Sequence, residues 1–337
     1  MFQPLSGFTV AVAADRCRDE LAAMLERRGA RVVPAPTLRI VPLAEDPELR
    51  AATVSLIDNP PDIMIACTGV GLRGWLQAAR GWGLSDSLRT VIASAYPVAD
   101  DALEHLLRRG VAGARVAVQL HGEPQPELCA ALVGAGAEVI EVSVHRWVPP
   151  ADPTPLRRLV DLAVGRLVDA IAFTSAPAVG ALLRLAGPDT DAFLDALRTD
   201  VVAACVGPVS ATPLIRRGVP VVAPGRARMT GLAAALVDEL PKRAPTIQVA
   251  GRELILRGHA AMVDGTLKPL APAPMAVLRA LAATPGRVLS RAALLTSLPR
   301  GADEHAVEMA VARLRAALGG SAFVQTVIKR GYRLRVD

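Results

Sequence analysis

The stretches DEHAVEMAVARLRAAL (residues 303–318) and FVQTVIKRGYRLRV (residues 323–336) decide the fold of the C-terminal part of the chain. With about 100° between successive helical residues, the first stretch has one apolar face, formed by Val307, Val311, Leu314 and Leu318. The opposite face is mostly small and carries His305, Met309, Ala312 and Arg313, with Arg315 at its flank. The second stretch alternates with the strand period on both sides of a basic turn at Lys329 and Arg330. Together they predict an amphipathic helix followed by a hairpin.

Two further helices are predicted upstream. One spans residues 274–283 and ends at a Thr-Pro-Gly turn, and Ser290 caps a second one over residues 291–298. A helix with a small exposed face and arginines can lie in a groove lined by phosphates and base edges, so double-stranded DNA is the predicted partner. The alternative is a surface helix whose arginines are only solvated.

The segments PGRVLSRAALL (285–295), AVEMAVARLRAALG (306–319) and QTVIKRGYRL (325–334) resemble, in order and spacing, the winged-helix effector domain of OmpR-type response regulators. The resemblance covers residues 246–337. It implies an N-terminal antiparallel sheet and insertion of the helix carrying Arg313 and Arg315 into the major groove. It also implies that Lys329 and Arg330 lie beside the minor groove and that RNA polymerase is a partner. Met275 stands where the family usually has a glutamate.

The positive charge of the chain is concentrated in this C-terminal part. Residues 246–337 contain 13 basic and 6 acidic residues, whereas residues 1–245 contain 25 and 26. This asymmetry favours nucleic-acid binding by the C-terminal part. No apolar run is as long as the roughly 18 residues needed to span a bilayer, so no membrane partner is expected. Four scattered cysteines and a start without a signal-peptide pattern predict a soluble, cytoplasmic protein.

Residues 1–245 alternate between short apolar strands and amphipathic helices, which predicts an α/β fold with parallel sheets. Two proline-flanked extended stretches, residues 36–43 and 145–151, mark where the chain leaves one lobe and returns to it. The predicted domains are a discontinuous lobe 1 (1–36 and 150–243), a lobe 2 (37–149) and a C-terminal winged helix-turn-helix (246–337). Residues 241–245, Pro-Lys-Arg-Ala-Pro, are predicted to form a short, stiff linker.

The segments DAIAFTSAPAVGALL (169–183), VAACVGPVSATPLIRRGVPVVAPGRARMTGLAAAL (202–236) and, more weakly, PDIMIACTGVGLRGWLQAA (61–79) resemble uroporphyrinogen-III synthase. This enzyme cyclises hydroxymethylbilane while inverting one pyrrole ring. The resemblance extends over residues 5–242 and implies two α/β lobes joined by a two-strand bridge, with no metal and no organic cofactor. The fusion is similar to actinobacterial regulators that combine the synthase with a transcription factor.

The resemblance also implies where a ligand binds. In the synthase family the anionic substrate is held mainly by backbone N–H groups and small hydroxyl residues at helix starts. Four hydroxyl residues follow strands here in the corresponding positions: Thr68, Ser175, Ser210 and Thr230. The alternative is that each of them only caps its helix.

The glycines of residues 69–74 spell GxGxxG, the dinucleotide-binding fingerprint. The acidic residue expected about 20 positions further on is absent from residues 91–96. A tight strand-to-helix turn is therefore predicted here, and not a nucleotide site.

Three departures from the synthase pattern argue against turnover. The bridge strand carries His145 where the family commonly has a tyrosine, and Val209 replaces a hydroxyl residue in the Gly-Pro turn. After residues 89–93 the chain lacks a Gly-Pro turn and helix, so a segment of this lobe is expected to be missing. His145 is either structural, or a general acid or a metal ligand, and no second histidine lies at ligand spacing. His121, on a loop at a strand end, is a candidate ligand contact, and Arg16 and Arg18 either meet an anionic ligand or are solvated.

These observations predict a DNA-binding transcriptional regulator whose synthase-like part senses a partner or a ligand, the ligand being a tetrapyrrole or another small anion. Two chains are expected on tandem DNA half-sites, as a dimer on DNA. The first alternative is a bifunctional uroporphyrinogen-III synthase and transcription factor. The second is an α/β part that only dimerises.

Overall fold

The computed structural model describes residues 3–15, 17–99, 103–298 and 303–336, without the side chains of residues 98, 99 and 121. The chain divides into two compact units. Unit 1 consists of Met1–Thr37 and Pro150–Asp337, and unit 2 of Leu38–Pro149.

Strands occur in both units. In chain order they are β1 (Thr9–Ala14), β2 (Arg31–Pro36), β3 (Arg39–Pro42), β4 (Ile63–Ala66), β5 (Tyr96–Ala99), β6 (Arg115–Gly122), β7 (Glu138–Val148), β8 (Ala170–Phe173), β9 (Val202–Cys205), β10 (Val221–Val222), β11 (Thr246–Val249), β12 (Arg252–Arg257), β13 (Ala260–Val263), β14 (Thr266–Pro269), β15 (Val324–Val327) and β16 (Gly331–Leu334).

The α-helices, again in chain order, are α1 (Arg18–Glu26), α2 (Pro47–Asp58), α3 (Gly69–Gly81), α4 (Ser85–Ser94), α5 (Leu103–Arg109), α6 (Pro126–Gly134), α7 (Thr154–Val164), α8 (Ala176–Ala186), α9 (Thr190–Thr199), α10 (Pro208–Ile215), α11 (Met229–Arg243), α12 (Pro272–Ala283), α13 (Arg291–Leu295) and α14 (Glu304–Leu318). A short 3₁₀ helix, Gly187–Asp189, precedes α9.

The first sheet of unit 1 has five parallel strands in the order β10-β9-β8-β1-β2. Strands β1, β8 and β9 are buried along their whole length because apolar residues from helices cover both faces of the sheet. Since the strands are parallel, the starts of α1, α8, α10 and α11 follow the carboxyl ends of β1, β8, β9 and β10 at one edge of the sheet. This confirms the predicted α/β class.

Unit 2 contains a second five-stranded sheet in the order β3-β7-β6-β4-β5. Strand β3 runs antiparallel to β7, and the other neighbouring strands are parallel. Trp75 of α3 is fully buried, and its Nε1 donates a hydrogen bond to Oγ1 of Thr53 on α2 at 2.8 Å. The indole therefore ties two helices together in the core of this unit.

The expectation that a segment is missing after residues 89–93 is wrong. Those residues belong to α4, whose Leu88 and Val91 are buried three positions apart on one helix face. The strand that follows is β5, and α5 comes after it. Residues 100–102, between β5 and α5, lie outside the described residues. Their sequence is Asp-Asp-Ala, so the absence of a Gly-Pro turn still holds.

The C-terminal part of unit 1 has the predicted winged-helix order. Strands β11 to β14 form an antiparallel sheet, followed by α12, α13, α14 and the β15–β16 hairpin. One apolar core joins these elements, and it includes the predicted stripe residues Val307, Val311, Leu314 and Leu318. Helix α13 ends at Leu295, three residues earlier than predicted, and Ser290 caps it as expected.

The predicted linker at residues 241–245 is mostly helical, so this prediction is wrong. Helix α11 continues through Pro241 to Arg243 and is braced one turn back by ion pairs. The Nζ of Lys242 lies 3.7 Å from the Asp238 carboxylate, and the Nε of Arg243 lies 2.6 Å from the Glu239 carboxylate. Only residues 244 and 245 separate α11 from β11.

The winged-helix part is hydrogen-bonded to the first sheet of unit 1. The backbone N–H of His259 donates to the carbonyl oxygen of Gly7 at 2.8 Å, and its Nδ1 lies 3.1 Å from Oγ1 of Thr9. The Nη1 of Arg257 donates to the carbonyl oxygen of Ser6 at 2.8 Å. These bonds dock the loop between β12 and β13 against the start of β1.

Among the described residues, no helix has the length and apolar character needed to cross a membrane. In the same part of the chain, His, Cys, Asp and Glu side chains do not come together in groups of three or more that could hold a metal ion. All four cysteines are free thiols.

Candidate nucleic-acid interface and ligand site

The exposed surface of helix α14 carries Ala312, Ala316 and one arginine, and the carboxylates of Glu304 and Glu308 are exposed beside them. Asp303 caps its start, where Oδ1 accepts a hydrogen bond from the backbone N–H of Ala306 at 2.8 Å. Gly319 ends it with a φ of 93°, the left-handed conformation that glycine tolerates. The caps and the buried stripe fix which face points outward. The predicted contact residues on that face are all exposed: His305, Met309, Ala312 and Arg313.

The wing is the turn between β15 and β16. Lys329 and Arg330 are exposed there, and Lys329 has a φ of 61°. The hairpin is held to the loop before α13 by two backbone hydrogen bonds between Leu289 and Tyr332, at 2.8 and 2.9 Å. Gly331 has a φ of 128° and packs directly against the Leu289 carbonyl group. The basic turn is therefore anchored on the body of the winged helix.

Arg315 is half-buried and points toward strand β15 of the hairpin. Its Nε and Nη2 donate to the carbonyl oxygen of Val324 at 2.9 and 2.8 Å, and Nη2 also donates to Oγ1 of Thr326 at 2.8 Å. The guanidinium lies 5.8 Å from the ring centroid of Tyr332. Arg315 thus fixes α14 to the hairpin, whereas Arg313 on the neighbouring face is exposed to solvent.

Three predicted ligand-site residues lie at the carboxyl edge of the first sheet of unit 1. Ser175 caps α8, with its Oγ accepting from the N–H of Ala178 at 3.3 Å. The Oγ of buried Ser210 accepts from the N–H of Gly207 at 3.1 Å and donates to the Gly207 carbonyl oxygen at 2.7 Å. Thr230 is exposed in the first turn of α11. The hydroxyls of Ser175 and Ser210 therefore already have local backbone partners.

Thr68 caps α3 in unit 2, and its Oγ1 accepts from the N–H of Gly71 at 3.1 Å. The backbone N–H of Thr68 donates to Oε1 of Gln119 at 3.2 Å, and Nε2 of Gln119 donates to the Leu120 carbonyl oxygen at 2.6 Å. The fully buried Gln119 amide occupies the space that a Cβ on Gly71 would need. This packing accounts for a glycine in the GxGxxG stretch without any nucleotide.

His145 lies on β7 opposite Pro42 of β3 and is 5% exposed. Its ring centroid is 6.4 Å from that of Trp147, whose indole packs over Gly122 at the irregularity in β6. The His145 imidazole is thus part of the interior of unit 2. The side chain of His121 lies outside the described residues.

Arg18, in the first turn of α1, forms an ion pair with Asp19. Its Nε lies 3.0 Å from Oδ1 of Asp19. Arg16 lies outside the described residues. Residues 303–336 bring the predicted DNA-contact residues together, whereas the ligand-site residues divide between the two units.

Family models match two parts of the chain. Residues 87–234 match uroporphyrinogen-III synthase HemD, and residues 265–334 match the C-terminal part of transcriptional regulatory proteins. The chain joins a HemD-like uroporphyrinogen-III synthase domain to an OmpR-type transcriptional regulatory domain. The winged helix is therefore the effector part of a transcriptional regulator.

The chain is also similar to curated proteins and to a solved structure. The uncharacterized protein YjjA of Bacillus subtilis (strain 168) is 29% identical over 273 residues, which cover 72% of this chain and 98% of YjjA. A putative uroporphyrinogen-III synthase from Methanothermobacter thermautotrophicus is 30% identical over 149 residues, 44% of this chain and 58% of that protein. A mutant uroporphyrinogen III synthase from the extremely thermophilic bacterium Thermus thermophilus superposes with a TM-score of 0.58 at 28% identity, over 68% of this chain and 96% of that one.

Two residues of the synthase-like and winged-helix domains have roles that sequence reasoning missed. Gln119 follows the strand period of β6 and carries no motif, so nothing in its neighbourhood indicates that its amide holds the start of α3. The bonds from Arg315 to the hairpin join residues nine and eleven positions apart in different elements. In the sequence, Arg315 looks equivalent to Arg313 because both are arginines outside the apolar stripe.

Proposed function

We propose that this protein is a sequence-specific DNA-binding regulator whose synthase-like domain binds a small anionic ligand, such as a tetrapyrrole. The observation that carries the proposal is the exposed face of α14, with its small residues and the solvent-facing Arg313, beside the basic wing. A major groove admits a helix of this kind, and an arginine that projects from it can bind the O6 and N7 atoms of guanine.

The contacts divide by chemistry. Arg313 reads a base edge, while His305, Met309 and Ala312 line the same helix face against the groove. Lys329 and Arg330 approach phosphates beside the minor groove and supply affinity that does not depend on sequence. Arg315 sets the position of the wing relative to α14, because its guanidinium is already bound to β15. Two chains on tandem half-sites, and contact with RNA polymerase, belong to the same proposal.

Ligand binding is proposed for the carboxyl edges of the sheets. Helix starts that follow parallel strands present backbone N–H groups, which favour carboxylates. Ser175, Ser210 and Thr230 lie at such starts in unit 1, and Thr68 lies at one in unit 2. His121 and His145, the latter with only 5% of its surface exposed, belong to the proposed ligand-binding part of unit 2. A tetrapyrrole with several carboxylates fits this chemistry.

The second candidate is a bifunctional protein that also cyclises hydroxymethylbilane, and the superposition on a synthase favours it. Two features argue against turnover. Val209, where the synthase family has a hydroxyl residue, is 77% exposed, and His145, where it has a tyrosine, is buried. A buried imidazole supplies a leaving-group proton poorly unless the substrate reaches it.

One preparation of the full chain separates the two candidates. It is expected to retain labelled duplex DNA on a filter at low salt. Given hydroxymethylbilane, it is expected to leave mainly the spontaneously closed type-I isomer, as measured by chromatography of the oxidised products. A dedicated synthase serves as the positive control. Two results together would favour the synthase candidate over the regulator. They are formation of type-III product that Thr230→Trp abolishes, and failure of the same protein to retain DNA.

A further inference from the structure

A cavity of about 620 Å³ lies within unit 1, between the synthase-like sheet and the winged helix. Its volume falls in the range of about 300–1,000 Å³ that is typical of small-molecule sites. Residues of both domains line it. The apolar part of the wall includes Phe8, Leu240 and Leu256, and the charged part includes Asp169, Arg257 and Arg279.

Asp169 contacts residues of both domains. Its Oδ2 accepts a hydrogen bond from the backbone N–H of Thr9 at 2.7 Å, and its side chain is 13% exposed. Gly258 of the winged-helix part packs so closely that a Cβ there would overlap the carboxylate. Burial raises the pKa of Asp169 to about 6, although the Thr9 N–H and Arg279 favour the charged form.

Arg279 on α12 faces Asp169 through long contacts. Its Nη2 lies 3.5 Å from Oδ1 of Asp169 and 3.1 Å from the Gly258 carbonyl oxygen, and its Nη1 lies 3.4 Å from the Arg166 carbonyl oxygen. Charge-assisted hydrogen bonds are usually about 2.7–2.9 Å long, so this pair has not reached its strongest geometry. A ligand anion in the cavity can therefore compete for the guanidinium.

The charges around the cavity favour an anion. Arg243, Arg257 and Arg279 line it, and the acidic residues of the wall are Asp169 and Asp200. Asp200 is already bound by a guanidinium outside the lining, since its Oδ2 lies 3.0 Å from the Nε of Arg166. The Nε of Arg243 is paired with Glu239 on its own helix. Asp169 is thus the acidic group with which a ligand carboxylate competes for Arg279.

We propose that this cavity binds a small organic acid with an apolar body, whose carboxylate is received by Arg279 and whose body lies against Phe8, Leu240 and Leu256. The site is separate from the helix starts at the carboxyl edge. Phe8 and Asp169 of its wall precede β1 and β8, so they lie at the amino ends of strands whose carboxyl ends lead into those helices. Binding draws Arg279 away from Asp169 and so changes how the winged helix is docked.

The test uses calorimetry on the full chain with 1-naphthaleneacetate and its neutral match, 1-naphthaleneacetamide. The acid is expected to bind saturably, and the amide about tenfold or more weaker, since it lacks the charge that Arg279 recognises. Arg279→Gln is expected to remove that preference. Arg287→Gln, which changes an arginine outside the cavity lining, is expected to leave it intact.

A second variant keeps the proposal testable if Arg279→Gln does not fold. Ala283 lines the cavity at the exposed end of α12, so Ala283→Trp is expected to fill it and abolish binding while the thermal unfolding curve is kept. Equal binding of acid and amide, undiminished binding by Ala283→Trp, or no saturable binding of the acid would each overturn the proposal. Any effect of the ligand on DNA binding rests on the proposed function. If the unliganded protein fails to bind DNA, that result counts against the proposed function alone, because calorimetry measures ligand binding in the cavity directly.

Discussion

Replacing Gly331 with alanine is expected to cost about 3–5 kcal/mol of unfolding free energy and to abolish DNA binding. Gly331 has a φ of 128°, a region that residues with a Cβ rarely occupy. The added Cβ would also overlap the carbonyl group of Leu289, which is backbone and cannot rotate away. That carbonyl accepts the hydrogen bond from Tyr332 that anchors the wing. The backbone strain at residue 331 and the loss of the hydrogen bond between Tyr332 and Leu289 therefore both destabilise the base of the wing.

Gly320→Ala is the matched control. Gly320 has a similar φ of 138°, but a Cβ there has no atom within 4 Å. Only the backbone conformation is penalised, so the expected loss is about 1–2 kcal/mol. Chemical unfolding of the full chain measures the loss of stability in each variant. The anisotropy of a labelled duplex measures the loss of DNA binding. Equal stability of the two variants would show that the wing adjusts to the extra atom.

Arg313→Ala is expected to weaken binding to the preferred DNA sequence by about 1–3 kcal/mol and to relax selectivity at one base position. Arg313 is exposed on α14, whereas the neighbouring Arg315 is held by the hairpin. Removing Arg313 is therefore expected to delete the proposed groove contact and to leave the wing in place. Competition binding against single-base variants of the preferred site measures the loss.

Lys329→Ala is the comparison for Arg313→Ala. Lys329 lies in the exposed basic turn, where phosphate contact is expected, so all sequences should lose affinity to the same extent. The slope of log affinity against log salt concentration should decrease in magnitude by about one, because one fewer phosphate is neutralised. A loss of equal fraction on preferred and random DNA for Arg313→Ala would remove the assignment of this residue to base reading.

Local patterns predicted much of this fold because they depend on nearby residues. The apolar stripe of α14, the cap at Ser290 and the basic turn all follow from spacing within one element. The predicted linker was wrong because Pro241 indicated a helix end. Proline lacks the N–H that bonds the carbonyl oxygen four residues back, and the ion pairs from Lys242 and Arg243 stabilise the turn that contains Pro241.

Contacts between elements could not be predicted in the same way. The docking of the winged helix depends on Asp169, Gly258 and Arg279, and the pair of Asp169 and Arg279 spans 110 positions of sequence. Nothing in the local pattern of Asp169 distinguishes it from a solvated residue before a strand. Gln119 is similar, because its role becomes visible only once β6 lies beside the start of α3.

Whether this chain reads DNA sequence is tested most directly by selecting duplexes from a random-sequence pool with the full-length protein. The predicted result is one enriched motif, present as two half-sites about one helical turn apart. The enrichment should depend on Arg313, and the base that Arg313→Ala no longer selects should be a guanine. A pool that stays random after repeated rounds, with DNA retained only at low salt, would contradict the claim that the winged helix is a sequence-specific reader.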